Sequence, residues 1–407
     1  MLIAVNTRLL LKDKLEGIGW FTYESLKRIT KNHPEHKFIF LFDRPFSEEF
    51  IFSDNISPIV VGPQARHPFL WYWWFEQSLP KIFHKYAPDL FLSPDGFLSL
   101  SPLSFGEGLV RKDSRGSPAD SFGGVRQISV IHDLNFEYYP EDIPFIARKY
   151  YKKYFPLFAK KASRIATVSE YSKQDISKRY KISTEKIDVV YDGANEAFKP
   201  RSPLLSLRQL AEEKFARSKV LPFGEDLGGA SYFLFVGALH PRKNVARLLL
   251  AFDEFKKTES SKIKLVIAGE KMWKTSDIEN VFSSMKFKSD VIFAGRLGTN
   301  ALKDVMAVAL ALVFVPYFEG FGIPIIEAMY CDVPVLTSNV TSMPEVAGNA
   351  ALLVDPFSVD SIKEGMMKIY KDETLRNQLI ANGQKQREKF SWDKTAEKLW
   401  NCIEKTI

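Results

Sequence analysis

Thirteen short apolar runs, most rich in Val, Ile, Leu and Phe, punctuate the chain, and a longer amphipathic stretch follows most of them. Strand followed by helix, repeated, is the pattern of a parallel sheet, whose neighbouring strands can be joined only through a crossover. The spacing predicts seven strands at 2–6, 37–42, 58–61, 89–93, 127–131, 164–168 and 187–191. Six more are predicted at 231–237, 263–268, 290–294, 311–315, 333–337 and 350–354. A chain of 407 residues exceeds what one core organises. The predicted fold class is therefore α/β, with two Rossmann-like doubly wound parallel-sheet lobes.

Periodicity fades and turn formers gather between the two sets. This places an N-terminal lobe at 1–195, a linker at 196–230 and a C-terminal lobe at 231–390. The last segment carries Trp392, Ala396, Leu399 and Ile403 at helical spacing, so a helix over 391–407 should pack one face, on a lobe that periodicity does not select. The stretch 101–126 is dense in Ser, Gly, Pro and charge; a mobile acceptor-side loop and a bland insertion both fit it.

No run approaches the roughly 18 apolar residues that span a bilayer, and the opening MLIAVNTRLL reads as a first strand rather than a cleaved leader. Cys331 and Cys402 match no metal-ligand spacing and suit a reducing compartment, so a cytoplasmic protein is expected. The net charge of +7 favours acidic partners. Nucleic acid is not expected among them, because no recognition helix, zinc motif or aromatic platform accompanies the charge.

Three motifs carry chemistry. The first runs from Pro316 to Met329 and holds Glu319, Gly320, Phe321, Gly322, Ile323, Pro324 and Glu327. It follows a strand and should enter a helix, with Pro324 in the first helical turn. A helix start beyond a parallel strand offers free amides to a phosphate, and glycine lets the backbone approach it. Glu319 should then reach outward from the loop while Glu327 stays beside a ligand, each able to accept hydrogen bonds from a sugar diol. Taken alone, the two acids are equally well ordinary loop and helix-start residues.

The second motif is Arg242-Lys243-Asn244, where two cations precede a helix whose N-cap should be Asn244. Arg chelates anionic oxygens with two parallel bonds and Lys supplies a point charge, which together suit a diphosphate; a solvated basic turn is the alternative. The third is His132, directly after a predicted strand, where a lone histidine is more often structural than catalytic. Near the start, Gly17 and Gly19 follow the first strand but lack the third glycine of a dinucleotide fingerprint.

The stretch around Gly320-Phe321-Gly322, flanked by two acids with seven residues between them, resembles the signature of the family-four retaining glycosyltransferases, and the likeness extends over essentially the whole chain. It implies the GT-B architecture, two lobes facing a central cleft. It assigns Glu319 to hydroxyls of a donor sugar, Glu327 to a ribose diol, and Gly320, Phe321, Gly322 and Ile323 to sugar and diphosphate. Arg242 and Lys243 become the diphosphate clamp, although Ala238 stands where the family commonly has an arginine five residues before the lysine. His132 falls near the donor sugar, Leu297 at the nucleobase, and Gly17 and Gly19 near diphosphate and acceptor.

The resemblance further implies transfer with retained configuration by front-face attack, with no metal and no cofactor beyond the nucleotide-sugar donor. GDP-mannose is favoured on likeness to bacterial mannosyltransferases of surface-polysaccharide pathways, with a UDP-sugar as the alternative. A glycan or lipid-linked saccharide is the expected acceptor, and a noncatalytic nucleotide-sugar-binding protein is the rival reading. Two aromatic and basic stretches, Phe69–Phe75 and Arg148–Lys161, could seat the protein on the inner face of an anionic membrane. Core packing with a solvated basic edge is the competing account of both.

Overall fold

The computed structural model describes residues 1–101, 125–200, 231–259, 261–271 and 276–407. Most of the predicted linker, and nearly all of the 101–126 stretch, lie outside them. The chain divides into two compact units, Met1–Gly193 with Trp392–Ile407, and Ala194–Ser391.

The first unit contains seven strands: β1 (Leu2–Asn6), β2 (Lys37–Phe42), β3 (Ile56–Val60), β4 (Leu90–Ser93), β5 (Arg126–Val130), β6 (Arg164–Thr167) and β7 (Ile187–Val189). They pair in parallel in the order β3-β2-β1-β4-β5-β6-β7. Its helices are α1 (Gly17–Asn32), α2 (Pro68–Trp73), α3 (Leu79–Tyr86), α4 (Asn135–Tyr138), α5 (Phe145–Lys161) and α6 (Glu170–Tyr180). β1 and β4 are buried almost throughout, as central strands covered on both faces must be.

The second unit holds β8 (Tyr232–Val236), β9 (Lys264–Ala268), β10 (Val291–Gly295), β11 (Ala311–Phe314), β12 (Val335–Ser338) and β13 (Ala351–Val354) in the parallel order β10-β9-β8-β11-β12-β13. Its helices are α7 (Val245–Thr258), α8 (Ser276–Ser284), α9 (Thr299–Met306), α10 (Ile323–Tyr330), α11 (Met343–Ala347), α12 (Val359–Lys371) and α13 (Glu373–Gln386). All thirteen predicted strands are present, with ends displaced by at most two residues. The apolar face of α7 buries Val245, Leu248, Leu249, Phe252 and Phe255, the residues that its 3.6-residue period selects.

The last helix, α14 (Trp392–Glu404), packs on α1 within the first unit. Trp392, Ala396, Leu399 and Ile403 are buried, and Trp400 stacks on His33 with ring centroids 3.6 Å apart. Asp393 accepts from Arg28 at 2.5 Å, and Lys405 reaches Asp188 at 2.7 Å. Among the described residues no helix is long and apolar enough to cross a membrane.

Candidate functional site

Each sheet reverses its strand order at one place, between β1 and β4 in the first unit and between β8 and β11 in the second. Loops leaving the carboxyl ends there diverge and open a crevice, the usual ligand position of doubly wound sheets. The loops after β8 and β11 carry Arg242, Lys243 and Glu319.

These three side chains form one buried ion cluster. Glu319 Oε1 accepts from Arg242 Nη1 and is paired with Lys243 Nζ. Glu319 is only 7% exposed. Burial drives its carboxyl upward, but Arg242 and Lys243 outweigh that and hold it below the ordinary carboxylate range. This corrects the outward-reaching Glu319 read from the sequence: with two cations adjacent and little water, the carboxylate turns inward to neutralise them.

The surrounding chain holds these groups in place. Arg242 Nη1 also donates to the Phe318 carbonyl at 3.3 Å, and the Tyr317 amide donates to the Arg242 carbonyl at 3.0 Å. Lys243 Nζ lies 4.9 Å from the centre of the Phe314 ring. Asn244 is not the side-chain cap expected of it. It adopts a left-handed φ of 64°, and its Nδ2 donates to the carbonyls of Val315 and Pro356 at 2.9 and 2.8 Å. Those orphan carbonyls lie buried, so an amide side chain serves there better than at the helix start.

Pro324 occupies the first turn of α10. Gly322 precedes that helix with φ +107°, a conformation that favours glycine, and a Cβ there would also push on the Met343 side chain, 2.9 Å from its Cε. Ser342 Oγ donates to the carbonyls of Glu319 at 2.9 Å and Phe321 at 3.3 Å, fixing the loop. The Phe321 ring packs edge-on against Phe390 at 5.5 Å, so only the main chain of Phe321 can serve a ligand. Gly320 is buried in the same loop and Ile323 is partly buried at the helix start. Glu327, one turn into α10, is partly exposed at its edge, and burial pushes its carboxyl up to about 8.

A cavity of about 350 Å³ opens at the ends of β9 and β10, lined by Leu239, Gly269, Glu270, Lys271, Phe293, Gly295 and Arg296. That is within the size range of small-ligand sites. A Cβ on Gly269 would lie 1.8 Å from the Gly237 carbonyl oxygen, so the β8 and β9 ends approach as only glycine allows. Gly295 turns the chain with φ +66° and lines the cavity with Arg296, and Leu297 follows directly in the same loop.

In the first unit, His132 follows β5. Its Nε2 lies 2.8 Å from the Pro94 carbonyl, which can only accept, so Nε2 carries the proton and Nδ1 of the neutral ring is an acceptor. Burial holds its pKa below the ordinary value, against the opposing pull of the Pro94 bond and of Asp133 and Asp95. Gly17 and Gly19 do not form a loop: α1 begins at Gly17. Gly17 faces open space, whereas a Cβ on Gly19 would approach the Leu9 carbonyl to 3.1 Å, so close packing of the preceding segment explains that glycine.

Sequence reasoning missed a second ion pair, at the switch point of the first sheet. Arg8 Nη2 meets Asp95 Oδ2 at 2.6 Å, and Asn6 Nδ2 donates to Asp95 Oδ1 at 2.7 Å. The Arg8 guanidinium lies 4.8 to 5.3 Å from the ring centres of Phe75, Trp74 and Phe97. An arginine two residues beyond an apolar strand was the only available signal. Among the described residues no group of His, Cys, Asp and Glu is arranged to hold a metal ion.

Two sequence families match the chain. Glycosyltransferase Family 4 matches residues 15–198, and Glycosyl transferases group 1 matches residues 223–386, so together they span most of it. The chain belongs to these glycosyltransferases. The glycosyltransferase is 29% identical over 282 residues to O-antigen chain mannosyltransferase B of Escherichia coli, covering 69% of each chain. It is 30% identical over 230 residues to O-antigen chain mannosyltransferase RfbU of Salmonella typhimurium, covering 56% of this chain and 57% of the relative. Among solved structures, a sucrose-phosphate synthase from Thermosynechococcus elongatus superposes with a TM-score of 0.74 at 18% identity, covering 99% and 98% of the chains. WaaG, a glycosyltransferase involved in lipopolysaccharide biosynthesis, gives 0.69 at 16% identity and 98% coverage of both. These likenesses establish the GT-B class of two Rossmann-like lobes for the glycosyltransferase.

Proposed function

We propose that this glycosyltransferase is a retaining mannosyltransferase that uses GDP-mannose and extends a glycan or lipid-linked acceptor of a bacterial surface polysaccharide. The observation that carries the reading is the Arg242–Lys243–Glu319 cluster at the switch point of the second sheet, together with the cavity at the ends of β9 and β10. A diphosphate on Arg242 and Lys243 would leave its nucleoside within reach of that cavity, whose lining begins at Leu239, three residues before Arg242. The mannose assignment is supported by the two O-antigen mannosyltransferases among its relatives.

During transfer the bond between C1 of the sugar and the diphosphate oxygen breaks, and a bond from C1 to the acceptor oxygen forms. The acceptor proton passes to the departing phosphate. Charge develops on that diphosphate, and Arg242 and Lys243 are the groups that stabilise it. Two fixed cations supply the charge that a divalent ion supplies elsewhere, so the reaction is proposed to need no metal. In this reading Glu319 holds donor-sugar hydroxyls, Glu327 the ribose diol, the main chain of Gly320, Phe321, Gly322 and Ile323 the sugar and diphosphate, and Gly295 to Leu297 the base. Gly17 and Gly19 would shape the acceptor side. The enzyme would act on the inner face of the membrane, where a lipid-linked acceptor resides.

The test is a thermal-unfolding panel with GDP, UDP, ADP and their sugars in EDTA. Ligand at about 100 times its Kd stabilises by about 2.7 kcal/mol. GDP and GDP-mannose should raise Tm, and Lys243→Ala should remove that rise while cutting sugar transfer about 10²- to 10³-fold. Stabilisation by UDP alone would reassign the donor. No shift with any nucleotide would defeat the donor-site reading, and activity lost in EDTA and restored by magnesium would defeat metal independence.

A further inference from the structure

The stretch Phe69–Phe75 combines buried and exposed rings. Trp74 and Phe75 are fully buried, but Phe69 is 72% exposed, Trp73 57%, and Leu70 and Tyr72 are exposed beside them. The core-packing account therefore holds for two of the seven residues, with Trp71 between the extremes. A six-residue helix that buries none of its own residues needs an external reason to display a Trp, a Phe and a Tyr to water.

α2 lies against α5. Trp71 stacks on Tyr151 with centroids 5.6 Å apart and planes 4° from parallel, and Tyr72 meets Tyr154 at 6.1 Å. α5 buries Ala147, Tyr150, Phe155, Phe158 and Ala159 on one side. Its other side shows Phe145 at 57% exposure, with Ile146, Lys149, Lys152, Lys153, Leu157 and Lys160 also exposed. From Phe145 to Lys161 the helix carries six cations and no acid, and α2 carries no charge. Lys149 lies 4.4 Å from the centre of the Phe145 ring and Lys153 4.9 Å from that of Tyr154, so apolar and cationic groups interleave.

We infer that the joint α2–α5 face is a docking surface for an anionic lipid bilayer. The occupant follows from charge complementarity and ring chemistry. Trp and Tyr prefer the headgroup level, where an apolar body and a polar tip are both satisfied, and Lys gains from anionic headgroups through a screened attraction. The aromatic side chains insert and the lysines bind the headgroups. Neither α2 nor α5 crosses the bilayer, so attachment is reversible and salt-dependent. This surface gives physical form to the membrane setting in the function proposed above, but it rests on its own residues and is tested without activity.

The experiment is cosedimentation of the full chain with phosphatidylcholine vesicles, with and without about 30% phosphatidylglycerol, enough to create the negative surface potential this mode requires. Retention is expected on the anionic vesicles alone, falling about tenfold as salt rises from 0.1 to 0.5 M because that change shortens the screening length about twofold and weakens every lysine contact. Phe69→Ser with Trp73→Ser, and separately Lys149→Glu with Lys152→Glu and Lys153→Glu, should each lower retention at least tenfold. Unchanged GDP-induced thermal shifts would show that both variants remain folded; should nucleotides fail to bind at all, unchanged circular dichroism melting serves instead. Equal retention on neutral vesicles, no retention on either, or retention unaffected by both variants would overturn the inference. So would self-association that Phe69→Ser with Trp73→Ser abolishes in a chain that ignores vesicles, since the face would then bind a second copy.

Discussion

The two sheets share a topology at their centres, and each places an arginine–carboxylate contact at its switch point, yet the contacts are built differently. In the first unit Arg8 meets Asp95 one to one, Asn6 completes the carboxylate, and three aromatic rings enclose the guanidinium. In the second, two cations share Glu319 beside an open cavity. A balanced, enclosed pair has no charge left for a ligand and acts as scaffold. In the donor-site reading proposed above, the cluster in which two cations share one carboxylate is the anion site.

The sharpest way to break this comparison is Arg8→Ala. Stripping one partner from a buried pair leaves an uncompensated charge, and a loss of about 3–5 kcal/mol in denaturant unfolding is expected. Arg8→Met combined with Asp95→Leu should recover most of it, because both charges then leave together. If Arg8→Ala unfolds like the parent but no longer transfers sugar, the first contact is itself a ligand site.

A second test uses pH. The Glu327 carboxyl has an ordinary value of 4.5 and is pushed up to about 8 in the fold. Between those values the unfolded chain binds fewer protons than the native one, so stability falls as pH rises from about 4.5 to about 8 and then levels. Glu327→Gln should flatten that slope by about 2 kcal/mol between pH 5 and 8.5, read as the change in unfolding free energy. Saturating GDP should also flatten it in the parent, if the ribose diol binds the carboxylate. An identical slope in variant and parent would exclude the raised carboxyl.

The smallest expected effect separates the two roles of Glu319. Glu319→Gln frees Arg242 and Lys243 from their internal partner, so GDP should bind about tenfold more tightly, about 1.4 kcal/mol, while transfer falls. Titration calorimetry with GDP reads the first change and a donor-turnover assay the second. Weaker GDP binding would mean that Glu319 holds the cations in position rather than competing for them.

Much of this was legible in the sequence because the information is local. Strand and helix periods repeat within a few residues, and Arg242-Lys243 and the Glu319–Glu327 motif each follow the end of one strand. What escaped was the pairing of distant residues. Arg8 and Asp95 are 87 positions apart, and only the adjacency of β1 and β4 brings them together. Asn244 looked like a cap because capping is a local habit, but the carbonyls it serves belong to Val315 and Pro356. The aromatic run 69–75 could not be apportioned between core and surface until α5 was seen to cover one side of α2.

By itself, then, the sequence determined the parallel-sheet class, the thirteen strands and the residues that gather around the second switch point, because backbone period and loop chemistry are encoded over short spans. Only the tertiary structure decided that Glu319 turns inward, that Gly295 and Arg296 share a cavity with Leu239 and Gly269, and which aromatic rings remain in water. Those outcomes depend on which charges and faces the fold brings into contact, and burial strengthens or forbids each contact according to partners far away in the chain.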